Sequence, residues 1–294
     1  MTREDAASRR KGRVSHKKAF YDTIDSYGAI GDGGLFLGGT DWRYGSREHA
    51  FAHGEELEYA VSYKVSFVNT DVAGVTFRTT LGDYGGRRAY PVDAHGVVYP
   101  FYRWFFDLND QYVSTLDSAT LRPLELRSEI REGKYRYSTR FVYDWDSRVV
   151  NNTFRNHKNP DSNHKRLDLS DGSYDALASF FNLRCADLTG IERSGSSLMN
   201  LVLEDTIRPI RYRFLGREVK NIRGTGKFRT LKFRCELATS TGESFEDGSE
   251  FTIWISDDRN RIPLYVESPI RVGSIRARLI SWKNLKYPLD SKIK

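Results

Sequence analysis

FTIWISDDRNRIPLYVESPIRVGSIRARL, residues 251–279, decides the fold. Phe251, Ile253 and Ile255 alternate with Thr252, Trp254 and Ser256, and alternation at period two in β-branched and aromatic residues marks a strand with two unlike faces. Asp257-Asp258-Arg259-Asn260-Arg261 holds no apolar residue, and its Asp and Asn side chains can bond their own backbone in a turn. The apolar pattern resumes from Ile262 to Val266. Pro263 lacks an N–H and belongs at a strand start or on an edge. After Ser268-Pro269, Ile270, Val272, Ser274 and Ala277 carry a third strand, with Gly273 as a bulge or close approach. The stretch predicts a hairpin followed by a further antiparallel strand.

The same period recurs upstream. Leu57, Tyr59, Val61, Tyr63, Val65 and Phe67 alternate six times, and Tyr135, Tyr137, Thr139, Phe141 and Tyr143 do so again. Further strands are predicted over 73–80, 87–98, 121–132, 148–154, 197–203, 207–215, 217–224 and 227–237. Gly216-Arg217 fits a two-residue hairpin turn between two of them. In the aromatic block 99–117, Tyr102, Trp104, Phe106 and Leu108 can share one face. One helix interrupts the pattern over 173–188, with Tyr174, Leu177, Ala178, Phe181 and Leu188 at helical spacing, a start signal at 170–173 and Asp175 in the first turn. It is expected to plug or cover one opening of the sheet. A sheet of about a dozen strands curls and closes, because closure removes exposed edges. The expected class is all-β, mainly antiparallel, a closed or nearly closed barrel with one helix.

The chain has 294 residues and a formal net charge of +7. Residues 1–18 contain seven Lys or Arg against Glu4 and Asp5, which is +5 of that total, so the other 276 residues carry only +2. A nearly neutral body argues against a nucleic-acid reader, which would carry its basic surface on the folded domain. Residues 1–50, basic then Gly-rich, are expected to be a disordered arm, with 51–294 forming one β-barrel-like domain. GAIGDGGLFLGG within the arm lacks the Lys-Ser/Thr of a phosphate loop and follows no strand. No window of about 18 apolar residues exists for a spanning helix. No recognisable signal peptide is present, since 26–40 holds Asp32 and six glycines where an apolar region would be needed.

Several stretches together resemble an uncharacterised exported family of Gram-negative bacteria, domain of unknown function 3108. They are Gly54-Glu55-Glu56-Leu57-Glu58-Tyr59, Ala73-Gly74, Trp104-Phe105-Phe106 with Asp110, Tyr112, Ser114 and Asp117, Glu132-Gly133-Lys134-Tyr135, Asp175-Ala176-Leu177-Ala178 with Leu183-Arg184, Gly226-Lys227-Phe228 and Trp254–Leu279. The last block is the specific one. The resemblance implies a barrel-like domain of the periplasm or cell envelope, and it implies no activity. The first 50 residues depart from the family, whose members carry an export signal there.

Candidate chemistry is thin. His49 and His53 have the spacing of two helical metal ligands, but Gly54 follows at once, no Glu stands between them and no third ligand is in view, so surface histidines explain them and no metal site is expected. Asp257-Asp258, Asp107/Asn109/Asp110 and Asp144/Asp146 all fail the calcium-loop pattern and suit turns. No nucleophile elbow occurs. Cys185 and Cys235 could pair in an oxidising compartment, and their spacing favours two buried thiols. No cofactor is expected. The residues singled out as lining a ligand are Trp104, Phe106, Arg103, Arg184 and Asp110. Buried arginines would need partners, for which Asp110 and Asp175 are candidates. The expected function is a non-enzymatic envelope protein that binds or carries an apolar or amphipathic ligand such as a lipid, or scaffolds other envelope parts, with peripheral envelope association. The alternative is a hydrolase acting through carboxylates inside the barrel.

Overall fold

The structure, a computed structural model, describes residues 48–65, 68–104, 106–157, 161–238, 250–270 and 273–294. The arm expected over 1–50 therefore lies, up to residue 47, outside the described residues, as do Phe67, Phe105 and Val272.

The first half is a meander of β1 (Glu56–Val65), β2 (Val68–Thr79), β3 (Gly82–Tyr84), β4 (Arg87–Val98), β5 (Asn109–Asp117), β6 (Pro123–Glu132), β7 (Tyr135–Asp144), β8 (Val149–Asn156) and β9 (Asn163–Asp168). A short β10 (Ser173–Tyr174) leads into α1 (Ala176–Arg184) and α2 (Leu188–Ser194). The second half follows as β11 (Ser196–Val202), β12 (Ile207–Ile222), β13 (Gly226–Leu237), β14 (Glu250–Ser256), β15 (Pro263–Pro269), β16 (Ser274–Lys283) and β17 (Lys292–Ile293). All belong to one 17-stranded sheet. Every pairing is antiparallel except that of β10 with β11.

The stretch quoted first forms the seam of this sheet. β14 pairs with β15 and β15 with β16, in the order its alternation predicts. β16 then pairs with β1 from Glu56↔Lys283 to Lys64↔Ser274, while the other edge of β1 pairs with β2. The N-terminal strand is thus inserted between the two halves of the chain. At the opposite side, β8 and β9 face β11 and β12 with no ladder between them. Side chains bridge the gap: Asn152 Nδ2 donates to the Glu204 carbonyl at 2.6 Å and Asn200 Nδ2 to Ser170 Oγ at 2.8 Å. Val150, Leu169 and Val202 pack there in one apolar cluster. The barrel is nearly closed, its last seam made of side chains rather than backbone.

Four local expectations change. Gly216 does not turn a hairpin: β12 runs through it as a bulge at φ 120°, between Phe214 and Gly216 in the register with β13. A glycine with positive φ satisfies a bulge as readily as a turn. The 99–108 block is no strand: Pro100–Tyr102 is a 3-10 turn and β5 begins at Asn109. The third strand of the seam begins at Ser274, after a turn in which Ile270 N–H donates to the Gly273 carbonyl. The helix predicted over 173–188 is two helices. Asp175 caps α1, its carboxylate accepting the Ala178 N–H, and Asp187 caps α2 through the Gly190 N–H. Two N-caps in twelve residues mean two starts.

Candidate functional site

Helix α1 lies inside the barrel. Ala178, Phe181, Leu183 and Arg184 are fully buried, Leu177 and Phe180 half-buried, and only Ala176 is exposed. A helix covered nearly all round has no solvent face and belongs in an interior. Phe181 meets Phe51, in the segment before β1, edge-on at 4.7 Å, and Phe180 stacks on Phe77 of β2 at 5.4 Å. Leu177 packs with Phe141, Tyr143 and Val150 of β7 and β8.

Arg184, at the last turn of α1, fixes that end of the barrel. Its guanidinium donates to both Glu55 oxygens, at 2.6 and 2.9 Å, and to the carbonyls of Asn260 and Ala50. Phe51 and Phe181 cover it at 5.5 and 5.3 Å. The partner of this buried arginine is Glu55, not Asp110 or Asp175. Asp258, whose Oδ1 accepts from Ser256 Oγ and from the N–H of Asn260 and Arg261, holds the adjacent β14–β15 turn, while the Asp257 carboxylate pairs with Arg217 Nε at 3.3 Å.

The inner faces change character along the strands. At the helix end Leu57, Tyr59, Phe141, Tyr143, Val150, Ile253, Leu264 and Leu279 are buried. Towards the other end, the rim, the residues that follow on the same faces are only half-buried: Val61 on β1, Tyr137 and Thr139 on β7, Phe154 on β8, Phe251 on β14, Val266 on β15, Ile275 and Ala277 on β16. Tyr63, last of this series on β1, is 36% exposed. Registers Tyr59↔Leu279, Val61↔Ala277 and Tyr63↔Ile275 put three of these rows side by side. Among the described residues, the rim half of the inner face is thus less buried than the helix half on β1, β7, β8 and β14–β16, where it carries aliphatic groups, rings and hydroxyls, whereas Tyr212, Cys235 and Leu237 on β12 and β13 stay buried.

Polar groups on the inner faces of β5–β8 are neutral or acidic. Thr139 Oγ1 and Asn152 Oδ1 are hydrogen-bonded, while Ser128 Oγ and Tyr143 OH are buried with no partner among the described residues. Burial pushes the Tyr112 and Tyr137 hydroxyls up, and the Glu204 carboxylate raises Tyr137 further. At the N-cap of α1, Asp175 accepts from Ser114 Oγ at 2.8 Å and from Ala178 N–H at 2.9 Å. Burial lifts its carboxyl to about 6 despite those bonds.

Of the residues the sequence singled out, four gather at the rim and one does not. Arg103 and Trp104 are exposed on the β4–β5 loop, Phe106 is half-buried there and Asp110 is buried at the start of β5. Asp110 accepts the Arg131 N–H at 2.9 Å and is hydrogen-bonded with Glu132, and burial raises its carboxyl. Arg184 sits at the far end, sealed behind α1. His49 Nε2 meets the Ser118 carbonyl and His53 Nδ1 accepts the Leu81 N–H, so the two rings serve separate backbone contacts. Cys185 and Cys235 are free thiols. Alternation already put Val61 and Tyr63 on the face of Tyr59, but no local signal marks which end of that face is the less buried.

These features define an antiparallel, nearly closed β-barrel-like protein with a buried helix. Within that class the chain belongs to the family described as "Protein of unknown function (DUF3108)", whose model matches residues 58–280. No curated protein matches the sequence. Among solved structures it is similar to a β-barrel-like protein of domain of unknown function DUF1849 from Brucella abortus, with 11% identity and a TM-score of 0.51, over 80% of this chain and 99% of that one. It is also matched to a Bacteroides fragilis protein with a YmcC-like fold (10% identity, TM-score 0.35, 81% and 100% covered). A third match is the Mycobacterium tuberculosis lipoprotein LppX (13%, 0.23, 79% and 89%). The likeness to the Brucella protein is one of fold.

Proposed function

We propose that the protein is a non-enzymatic binding protein that takes an apolar or amphipathic ligand, a lipid or a molecule of similar build, into the rim-side half of its barrel. One observation carries this: on β1, β7, β8 and β14–β16 the inner-face residues are buried at the helix end and half-buried at the rim. Ligand sites are concave, largely apolar and furnished with a few polar groups, and this interior has that composition. Its aliphatic wall would take an acyl chain. A periplasmic or envelope location follows from the family resemblance of the sequence.

Native mass spectrometry of the purified protein, with organic extraction of what it carries, tests the reading. The expected result is a co-purified amphipath, and saturable binding of an apolar fluorescent probe after delipidation. Val61→Trp, which fills the space from β1, should abolish probe binding while the fold is kept. A protein that carries nothing and binds no probe would sink the reading.

A carboxylate hydrolase has one observation in its favour, the hydrogen-bonded Asp110–Glu132 pair, in which burial raises the Asp110 carboxyl. They are 8% and 4% exposed, which leaves no room for a substrate between them. Turnover of ester or glycoside substrates that disappears in Asp110→Asn would favour it over binding.

A further inference from the structure

The β4–β5 loop at the rim carries the two most exposed large hydrophobic side chains among the described residues, Phe101 at 75% and Trp104 at 76%. The loop is not slack. Tyr99 N–H donates to the Val72 carbonyl at 2.9 Å, Tyr102 N–H to Tyr99, Phe106 N–H to Tyr102, and Gly133 N–H to the Asp107 carbonyl at 2.7 Å. Phe101 also packs edge-on against Tyr102 at 5.0 Å. The fold thus holds a Phe and a Trp outward, on a backbone fastened to β2 and to the β6–β7 turn.

The same edge carries exposed cations. Arg103 stands between the two rings in sequence, and the β6–β7 hairpin that the loop is bonded to presents Arg131, Lys134 and Arg136, all exposed. The exposed acids nearby are Asp107 and Glu129, so this edge carries four positive charges against two negative. Asp110 and Glu132 are buried behind it. Aromatic rings with long cationic side chains suit the boundary between headgroups and acyl chains, where rings sit at the interface and Lys/Arg meet anionic lipid.

We infer that this edge is a docking surface for an anionic phospholipid bilayer. The occupant is chosen by charge complementarity, and by continuity with the half-buried inner faces, since Tyr63 and the inner faces of β7 and β8 end at the same rim. Docking there would present those faces to the membrane. The inference goes beyond the binding reading and does not depend on it, because vesicle partition is measured whether or not the interior is occupied.

The test is co-sedimentation of the full chain with vesicles of phosphatidylcholine alone, or of phosphatidylcholine with phosphatidylglycerol. The protein should partition onto the anionic vesicles and far less onto the neutral ones. Phe101→Ser/Trp104→Ser should lower the partition coefficient on the order of tenfold or more, through loss of inserted apolar surface. Arg103→Gln and Lys134→Gln should each lower it roughly fivefold. Both sets of side chains are exposed, and thermal melts should be unchanged. Residues 1–18, with seven Lys or Arg, are a second source of attraction to anionic vesicles. Partition that survives Phe101→Ser/Trp104→Ser therefore overturns the inference, as does no partition, or equal partition onto both vesicle types.

Discussion

Removing the Arg184 side chain as Arg184→Met would leave the Glu55 carboxylate fully buried with no counter-charge. Both side chains are 0% exposed, and five donor–acceptor contacts of 2.6–3.3 Å would vanish together. Breaking one side of a buried ion pair costs about 3–5 kcal/mol, because the remaining charge is stranded. For a chain of this size that corresponds to a fall in Tm of roughly 6–20 °C. Glu55→Leu strands the arginine instead and should cost a similar amount. The double variant Glu55→Leu/Arg184→Met strands no charge, but the Asn260 and Ala50 carbonyls still lose their donor, at about 1–3 kcal/mol for each group left unpaired. It should therefore cost clearly less than the two single changes added together. Urea denaturation followed by tryptophan fluorescence at constant m-value gives all three numbers. If Arg184→Met costs under about 1 kcal/mol, or the double variant equals the sum, the pair does not fasten α1 to the Asn260 turn and the account of the sealed end is wrong.

Asp175 should make stability depend on pH. Its carboxyl is pushed up to about 6 by burial, above the ordinary aspartate value, so the folded state keeps a proton that the unfolded state releases. Its stabilising contribution is complete below about pH 4 and is lost as pH rises through 6, on the order of 3 kcal/mol at most. Asp175→Asn, which still caps α1, should flatten that slope in denaturation series between pH 4 and 7. An unchanged slope would mean the carboxyl is not held this way. Gly216→Ala places a side chain at φ 120°, where nothing lies within 4 Å, so the cost is backbone strain alone. About 1–3 kcal/mol is expected by the same denaturation assay. Gly133→Asn, at φ 55° in an ordinary left-handed turn, should be nearly neutral.

Alternation made most of the fold readable. Where one face is buried and the other wet, as in 57–63 and 135–143, each residue type reports its own side, and those strands lie where the pattern puts them. The seam was readable for the same reason, helped by an acidic turn with no apolar residue. What failed depends on context beyond the local chain. Glycine at 216 permits positive φ, but whether the backbone then turns or bulges is decided by the partner strand β13. The 99–108 block alternates well enough for a strand, yet the rim offers it no neighbour to pair with over its length. The helix divides because Asp187 caps a second start that a mostly apolar spacing hides. The candidate site was less legible. Aromatic density pointed to Trp104 and Phe106, which do lie at the rim, but density cannot separate an outward ring from a lining one. Arg184 was flagged as a buried cation, and its partner Glu55 is 129 residues away, a distance no local pattern spans. Which end of an inner face is more deeply buried is a property of the whole barrel, set by where α1 packs.

The central claim is that the rim-side interior is a ligand chamber. Photo-crosslinking of the purified protein with a diazirine-bearing fatty acid, followed by peptide mapping, tests it most directly. Adducts should concentrate on inner-face positions of the rim half, such as Val61, Phe154, Val266 and Ile275, be competed by unlabelled lipid, and be lost in Val61→Trp. Adducts confined to outward-facing residues, or unaffected by that substitution, would contradict it.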